Sequence, residues 1–342
     1  MNFVVDLLSY YQLYPTKIKQ ITKSLYKIEA NGSTFALKKS SLTKETVPFF
    51  EQIYHIAFSK ELVNFIPVYL TIHRKLYLEY GEAIYYLTPW FETKQQKNRY
   101  GPIFQVLGKI HYETKQVSTI SNKELIISFQ SYQTACQKQY KKLESFIAIF
   151  EEKRYMAPFE LQVCTQFHHM EQLFKKIDQY LERLIEAIEK EHKWSYSLCH
   201  GDFHDNHVLQ TPESLYVINW EQASFSHPMI DIVSYYKQAC SHYSIDEEAL
   251  LGAFHLYMEK NELQLNELYY ILIYLLDPKD YMQVVESYLL DYNTNQLELI
   301  MGIERIFRVL LFGLKWEQLF HEYRNQDEEI DETTKSTSDE KQ

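Results

Sequence analysis

Runs of β-branched, aromatic and alternating apolar residues dominate the first 90 residues of the chain. They predict strands over residues 17–22, 25–30, 34–39, 68–71, 76–80 and 84–88. The Asn31-Gly32 pair between the second and third runs is a strong hairpin signal, because both turn residues must adopt positive φ. Two segments are predicted as helices instead: a short amphipathic one over 3–13 and a longer one over 43–59, with Thr43 as its cap. This region is therefore predicted as a small β-rich lobe with accompanying helices.

Beyond residue 90 the apolar pattern changes to a helical period. In residues 129–152 and 160–192, apolar residues recur at spacings of three and four with Lys and Glu between them. Further helices are predicted over 103–113, 229–236, 247–260, 263–275, 281–290 and 296–323. Two short strands, at 208–209 and 215–218, flank a turn at 211–214. The pattern predicts an α+β fold with a β-rich lobe over 1–90 and a helical lobe over 91–324.

Length and composition agree with two lobes of a globular protein. At 342 residues the chain is long for one hydrophobic core. Hydrophobic residues make up 46% and charged residues 24%, which is typical of a folded domain. Only eight glycines and nine prolines are present, which favours long helices over a loop-rich fold.

The formal net charge of −11 is unevenly distributed. Residues 327–342 contain seven acidic residues and two lysines, so this segment contributes −5 of the −11. Such a polar, acidic segment cannot bury enough apolar surface to order itself, and residues 325–342 are predicted to form a disordered tail. An acidic chain without a basic stripe argues against a nucleic-acid partner.

The four cysteines, Cys136, Cys164, Cys199 and Cys240, lack the spacing of a metal site. They are expected to be reduced thiols, which fits an intracellular place of synthesis. No basic region precedes the apolar residues at the N-terminus, so no secretory signal is expected. The longest apolar run, 268–276, is about half the length of a membrane helix, which predicts a soluble protein made in the cytoplasm without a membrane span.

The most specific motif is Cys-His-Gly-Asp-Phe-His-Asp-Asn-His-Val-Leu at 199–209, followed by Ile-Asn-Trp-Glu at 218–221. It resembles the catalytic and metal-binding loops of a phosphotransferase, with Asp202 at the position of the base that deprotonates the acceptor. The two positions that hold Mg²⁺ in such loops carry His207, five residues after the base, and Asn219, after the following strand. In this resemblance His200 fixes the loop, His204 lies at the cleft, and Asp231 is a structural aspartate beneath it.

Lys38 follows the apolar run Phe-Ala-Leu at 35–37 and resembles the kinase lysine that holds the α- and β-phosphates. The helix over 43–59 should supply its carboxylate partner, with Glu51 favoured and Glu45 as the alternative. The loop at 21–25, which would cover the phosphates, has no glycine. Glycine allows backbone N–H groups to approach phosphate closely, so its absence predicts weaker nucleotide binding.

Both metal positions carry poor ligands for Mg²⁺, which prefers oxygen ligands in octahedral geometry. The imidazole of His207 offers nitrogen, and the amide of Asn219 lacks the negative charge of a carboxylate. Two nearby residues would restore an oxygen ligand. They are Asn206, one position before the first metal position, and Glu221, two residues past Asn219. ATP and Mg²⁺ are therefore expected to bind only weakly, and the chain is predicted to catalyse poorly.

The spacing of His200, His204 and His207 by four and three residues would place three imidazoles on one face of a helix. That arrangement suggests a zinc site, although no fourth ligand is evident from the spacing. The Gly-Asp pair and the flanking strand indicate a loop rather than a helix. The kinase-like interpretation is therefore favoured over zinc.

Together, residues 20–40 and 199–235 resemble the aminoglycoside phosphotransferase and choline kinase superfamily. The length, the 29 tyrosines and the order of elements resemble the CotS-family spore coat proteins, of the YsxE branch or the related YutH branch. The resemblance implies a two-lobe protein-kinase-like fold, synthesis in the mother-cell cytoplasm and assembly into the spore coat with coat proteins as partners. It implies a pseudokinase that acts by binding. The alternatives are an active small-molecule kinase with Asp202 as base and Lys38 on the phosphates, and a nucleotide-binding switch without catalysis.

Overall fold

The computed structural model describes residues 2–92, 100–118, 122–191, 193–212, 214–290 and 295–339. The chain forms two compact units. One comprises Met1–Lys115, Ser197–Ser226 and Glu259–Asn261; the other comprises Gln116–Tyr196, His227–Met258 and Glu262–Gln342. The first unit thus contains the motif segment as well as the β-rich region. The lobe boundary at residue 90 stays a prediction.

A five-stranded antiparallel sheet in the order β1-β2-β3-β5-β4 belongs to the first unit. Its strands are β1 Pro15–Gln20, β2 Leu25–Ala30, β3 Ser33–Lys39, β4 Leu78–Tyr80 and β5 Ala83–Pro89. Asn31 and Gly32 have φ of +49° and +72° and close the β2–β3 hairpin, as the Asn-Gly pair predicts. The predicted small antiparallel sheet is confirmed.

The two faces of this sheet have different neighbours. Helix α1 (Asn2–Ser9) belongs to a buried cluster on one face that includes Leu37 of β3. Helix α2 (Val47–Ser59) packs through Phe50 against Tyr86 of β5. Because side chains alternate between the faces of a strand, Lys38 lies on the face opposite Leu37.

The rest of the first unit holds the motif segment. Helix α3 (Tyr100–Thr114) precedes it in sequence, and strand β7 (Trp194–Cys199) leads into it. Strands β8 (Val208–Gln210) and β9 (Leu215–Val217) form an antiparallel pair, and β10 (Ser224–Ser226) pairs with the last three residues of β7. Single 3₁₀ turns at Asp205–His207 and Trp220–Gln222 separate these short strands.

The second unit is mainly helical. Its helices are α4 Asn122–Glu151, α5 Pro158–Glu191, α6 Met229–Cys240, α7 Glu247–Gly252, α8 Phe254–Met258, α9 Leu265–Leu275, α10 Lys279–Leu290 and α11 Gln296–Asp339. Helices α4, α9 and α11 pack around α5, where Leu173, Ile177 and Leu181 are fully buried. Strand β6 (Gln116–Ser118) pairs with the first residues of β7. The predicted α+β, kinase-like fold is confirmed.

Three local predictions are wrong. Residues 68–71 form no strand; Tyr69 N donates to Leu87 O, and this contact does not develop into a ladder. Helix α2 begins at Val47 rather than near Thr43, and Thr46 is the residue before its first turn. The helix predicted over 247–260 is divided into α7 and α8 on either side of Ala253.

Helix α11 continues to Asp339, whereas the sequence pattern predicts its end at Tyr323. Past Tyr323, residues 324–339 include three Glu but also three Asp, three Thr, two Ser and one Asn, so intrinsic helix propensity does not account for the longer helix. Residues 340–342 lie outside the described residues. Disorder of the acidic tail in solution, over 325–342, stays a prediction.

The four cysteines, all among the described residues, form no disulfide; three are buried and Cys164 is half-buried. Among the described residues, no helix combines the length and apolar character needed to cross a membrane.

Candidate functional site

A cavity of about 400 Å³ lies in the first unit, on the face of the sheet that carries Lys38. Its walls are mainly apolar and aromatic, and they include Ala36 of β3 and Tyr86 of β5. Trp90 and Phe91, directly after β5, continue this wall, and Ile218 closes it from the motif segment. The cavity therefore lies where the strand lysine and the motif meet.

Lys38 bridges the sheet and the segment after β9. Its Nζ donates to Asn219 Oδ1 at 2.6 Å and lies 2.7 Å from Glu221 Oε1. Asn219 has a left-handed backbone, with φ of +67°, at the start of the 3₁₀ turn that carries Glu221. This backbone conformation, which Asn tolerates better than most residues, presents both side chains to the lysine.

The Glu221 carboxylate is saturated with donors. Besides Lys38, it accepts hydrogen bonds from Ser41 Oγ at 2.6 Å, Ser41 N at 3.0 Å and the Tyr86 hydroxyl at 2.9 Å. Burial alone would raise the pKa of Glu221, but the charge of Lys38 and these hydrogen bonds lower it to about 2. Burial and the nearby carboxylate keep the pKa of Tyr86 well above its usual value, so Tyr86 remains a donor. Glu221 is thus an ionised, fully partnered carboxylate.

The partner of Lys38 differs from the sequence prediction. Glu51 and Glu45 were predicted from helix α2, and the structure instead pairs Lys38 with Glu221. Glu45 accepts a hydrogen bond from the Thr43 hydroxyl just ahead of α2. Glu221 lies in the 3₁₀ turn after β9, and this turn places its carboxylate beside Ser41, two residues past the end of β3.

The loop that carries Asp202 is shaped by its two preceding residues. Gly201 has φ of +81°, and a Cβ at this position would lie 2.3 Å from the carbonyl oxygen of Gln222. His200 is fully buried; its Nε2 donates to the carbonyl of Ile218 at 2.7 Å, and its Nδ1 accepts from Asp202 N at 3.3 Å. His200 therefore fixes the loop, as the resemblance implies, and leaves Asp202 with a 55% exposed side chain.

His204 and His207 both lie close to the Asp202 carboxylate. Their rings are tilted by 33° with centroids 3.8 Å apart, and His204 Nε2 and His207 Nδ1 lie 3.7 and 3.8 Å from Asp202 Oδ2. His207 Nδ1 also donates to the backbone carbonyl of Asp202 at 2.7 Å. Burial is the main cause that lowers the pKa of His207 to about 4, so this ring is neutral at physiological pH.

The donor set does not fit a Mg²⁺ ion. Asn219 Oδ1 already accepts from Lys38, and the second metal position presents an imidazole. Glu221, the carboxylate that would restore a ligand, is occupied by its four donors, and Asn206 lines the cavity with a neutral amide. Mg²⁺ prefers oxygen ligands, and the two metal positions offer one amide oxygen that already accepts from Lys38 and one imidazole.

The donor set does not fit zinc either. Both nitrogens of His200 are used within the protein. Asp202, His204 and His207 bring potential ligand atoms within 4.8 Å of one another. However, His204 Nδ1 accepts from Asn206 N, which places the proton of the neutral ring on Nε2, the atom nearest Asp202. A histidine needs a lone pair on the ligating nitrogen, and in this tautomer His204 does not offer one on the side of Asp202.

The loop predicted to cover phosphates is held by hydroxyl groups. Ser24 N donates to Thr22 Oγ1 at 3.2 Å, and Lys39 N donates to Ser24 O at 2.7 Å. Both Thr22 and Ser24 line the cavity. The glycine-free loop therefore presents side-chain hydroxyls at the cavity.

Ser41 and Tyr86 were not among the residues predicted for the site. Tyr86 alternates with the buried Tyr85 and Leu87 of β5, which places it on the face of Lys38. Ser41 has no such pattern, because it lies in the connection after β3. Asp231 belongs to the second unit, in the first turn of α6, where it is fully buried.

The family described as "Phosphotransferase enzyme family" matches residues 22–259 of the chain. No curated protein matches the chain significantly in sequence.

Several solved structures share the fold. An aminoglycoside phosphotransferase from Alicyclobacillus acidocaldarius is 17% identical with a TM-score of 0.67, covering 92% of this chain and 96% of that chain. Spectinomycin phosphotransferase APH(9)-Ia, bound to AMP, is 16% identical with a TM-score of 0.54, covering 92% and 98%. Amicoumacin kinase hAmiN, in complex with AMP-PNP, Ca²⁺ and Ami, is 13% identical with a TM-score of 0.51, covering 93% and 96%. At these identities the likeness shows a common fold.

Proposed function

The chain belongs to the phosphotransferase enzyme family, and we propose that it is a catalytically degenerate member, a pseudokinase that acts by binding. The observation that supports this is the use of Asn219 Oδ1 as an acceptor for Lys38. The strand lysine and one metal position satisfy each other, and Glu221 completes the cluster. A Mg²⁺–triphosphate complex needs both groups, and the second metal position holds a neutral imidazole.

The pair of substitutions Asn219→Asp and His207→Asn tests this proposal. Restoring a carboxylate and an amide at the metal positions is expected to raise Mg²⁺-dependent ATP affinity by about tenfold or more, since the first adds a negative charge and the second replaces imidazole nitrogen with an oxygen ligand. Calorimetry with and without Mg²⁺ measures this change. His168→Asn is the matched control, because His168 is 73% exposed on α5. Mg²⁺-dependent ATP hydrolysis or transfer by the unmodified protein would contradict the proposal.

An active phosphotransferase is the second candidate, and the exposure of Asp202 favours it. The carboxylate is 55% exposed, and two histidine nitrogens lie 3.7 and 3.8 Å from it. It is therefore accessible as a general base for an incoming hydroxyl. In that case, Asp202→Asn would abolish turnover of an acceptor substrate while leaving the melting temperature unchanged.

The role in the spore coat is proposed on the resemblance of the sequence to the CotS family. We propose that the protein is made in the mother cell and assembled onto the forespore, where it binds coat proteins. A fluorescent fusion in a sporulating host should then form a shell around the spore, and Asp202→Ala should leave this shell intact because binding does not use the base. A diffuse cytoplasmic signal throughout sporulation would exclude the coat role.

A further inference from the structure

A second cavity, of about 170 Å³, is lined entirely by residues of the second unit. Its floor is apolar: Leu275 of α9 and Leu310 of α11 are buried, and Val309 adjoins them. The volume is below the roughly 300–1,000 Å³ of cavities that bind drug-sized ligands. The cavity therefore suits a small molecule with a compact apolar part.

Four charged side chains of both signs line the same cavity. The two cations are Lys237, in the last turn of α6, and Arg305, on α11. The two carboxylates are Asp277, between α9 and α10, and Asp280, in the first turn of α10. Within the part of the chain that the structure describes, none of the four forms an ion pair. Cations and carboxylates therefore meet at one cavity without neutralising each other.

The walls that carry these charges are fixed by hydrogen bonds. Asp277 Oδ1 accepts from Lys279 N at 3.0 Å, so the start of α10 orients this carboxylate. Arg308 Nη2 donates to Ser241 O at 3.1 Å and joins the C-terminal end of α6 to α11. Groups that are already positioned lose less conformational entropy when a ligand binds.

From this arrangement we propose that the cavity binds a free α-amino acid with a small aliphatic side chain. The ligand carboxylate pairs with Lys237 and Arg305, its ammonium group pairs with Asp277 and Asp280, and its side chain packs on the apolar floor. Because both charges of such a ligand are attached to one carbon, a single molecule forms charge-assisted hydrogen bonds with both sets of side chains. The inference goes beyond the proposed function, since none of these residues belongs to the site around the strand lysine.

Calorimetry of the full chain with L-leucine and two blocked derivatives tests the proposal. N-acetyl-leucine lacks the ammonium charge and leucinamide lacks the carboxylate. Each is expected to bind at least about tenfold more weakly than leucine, because each loses one set of charge-assisted hydrogen bonds. Equal affinity for leucine and both derivatives, or no detectable binding of leucine at about 10 mM, would overturn the inference.

Two charge-removing substitutions assign the two ends of the ligand. Arg305→Gln should weaken leucine binding by about tenfold and should not weaken leucinamide, which has no carboxylate. Asp277→Asn retains an acceptor for Lys279 N and should preserve the start of α10. It should weaken leucine binding by about tenfold and should not weaken N-acetyl-leucine. If each substitution weakens leucine and its blocked derivative by the same factor, the assigned contacts are wrong.

Lys141→Gln is the matched control, because Lys141 is an exposed cation on α4 that does not line the cavity. It should leave the affinity for leucine unchanged. An equal loss of leucine affinity in Lys141→Gln and Arg305→Gln would refute the site. Titration with leucine and titration with ATP have separate outcomes, so failure of this inference leaves the pseudokinase proposal standing.

Discussion

Gly201 is the residue on which the shape of the Asp202 loop most depends. Its φ of +81° and the 2.3 Å approach to Gln222 O leave no room for a Cβ. Gly201→Ala is expected to lower the free energy of unfolding by at least about 2 kcal/mol, the combined effect of a left-handed backbone and a backbone clash.

Chemical denaturation measures this change in the free energy of unfolding, and Gly252→Ala is the control. Gly252 ends helix α7, and a Cβ there would meet nothing within 4 Å. The control should be neutral or slightly stabilising, since Ala is the better helix former. Equal stability of the two variants would show that the loop relaxes freely around residue 201.

At this scale the sequence predicts individual positions better than their partners. Local motifs predict four site residues, and the structure brings them into one region of the first unit: Lys38, His200, Asp202 and Asn219. The pairing of Lys38 with Glu221 does not follow from a motif, because the two residues are 183 positions apart in sequence. Periodicity and spacing report local geometry, whereas a pairing between distant segments depends on how those segments pack.

At the scale of elements, the patterned segments are predicted well and the short ones poorly. Strand β2 has the predicted bounds of 25–30, because apolar residues in a hairpin fix both the period and the turn. Strands β6 and β10 contain three residues each, too few to show a period, and they were not predicted. Their pairing depends on the neighbouring strand β7, which sequence patterns do not reveal.

The ion pair between Lys38, near the end of β3, and Glu221, in the turn after β9, is expected to make the free energy of unfolding depend on pH. Burial opposes ionisation of Glu221, but Lys38 and Ser41 hold its pKa at about 2, compared with 4.5 for an unperturbed glutamate. A lowered pKa means that the ionised carboxylate stabilises the folded state above pH 4.5, and that this contribution is lost as the pH falls towards 2. The loss is on the order of 3 kcal/mol.

Urea denaturation at pH 7, 4 and 2.5 measures this dependence. Because other carboxylates also titrate, the informative quantity is the difference between the unmodified protein and Glu221→Gln. Glu221→Gln should have a lower free energy of unfolding than the unmodified protein at pH 7. The difference between the two should become smaller as the pH falls. A difference in the free energy of unfolding that stays constant with pH would mean that Glu221 is not held ionised by Lys38.

At the scale of the whole molecule, the α+β, kinase-like architecture was predictable because long amphipathic helices and a β-rich start are both clear in the sequence. The extent of helix α11 was not predictable from apolar periodicity. Its last part, beyond Tyr323, is polar and rich in Asp, Thr and Ser, so intrinsic propensity does not predict a helix there either.

Truncation after Tyr323 tests whether this polar part contributes to the fold. The removed segment has one large apolar residue, Ile330, and ordering a backbone costs roughly 1–2 kcal/mol per residue. We expect the melting temperature to change by no more than about a degree, and limited proteolysis to cleave this segment first. A truncated protein that melts several degrees lower would show that the tail packs on the body.

The most direct test of the central claim is titration of the unmodified protein with ATP in the presence and absence of Mg²⁺ and Mn²⁺. The claim is that Lys38, Asn219 and Glu221 satisfy one another and that His207 replaces an oxygen ligand, so that no metal–triphosphate site remains. The predicted result is weak ATP binding that divalent ions do not improve. A sub-micromolar dissociation constant that requires Mg²⁺ would contradict it.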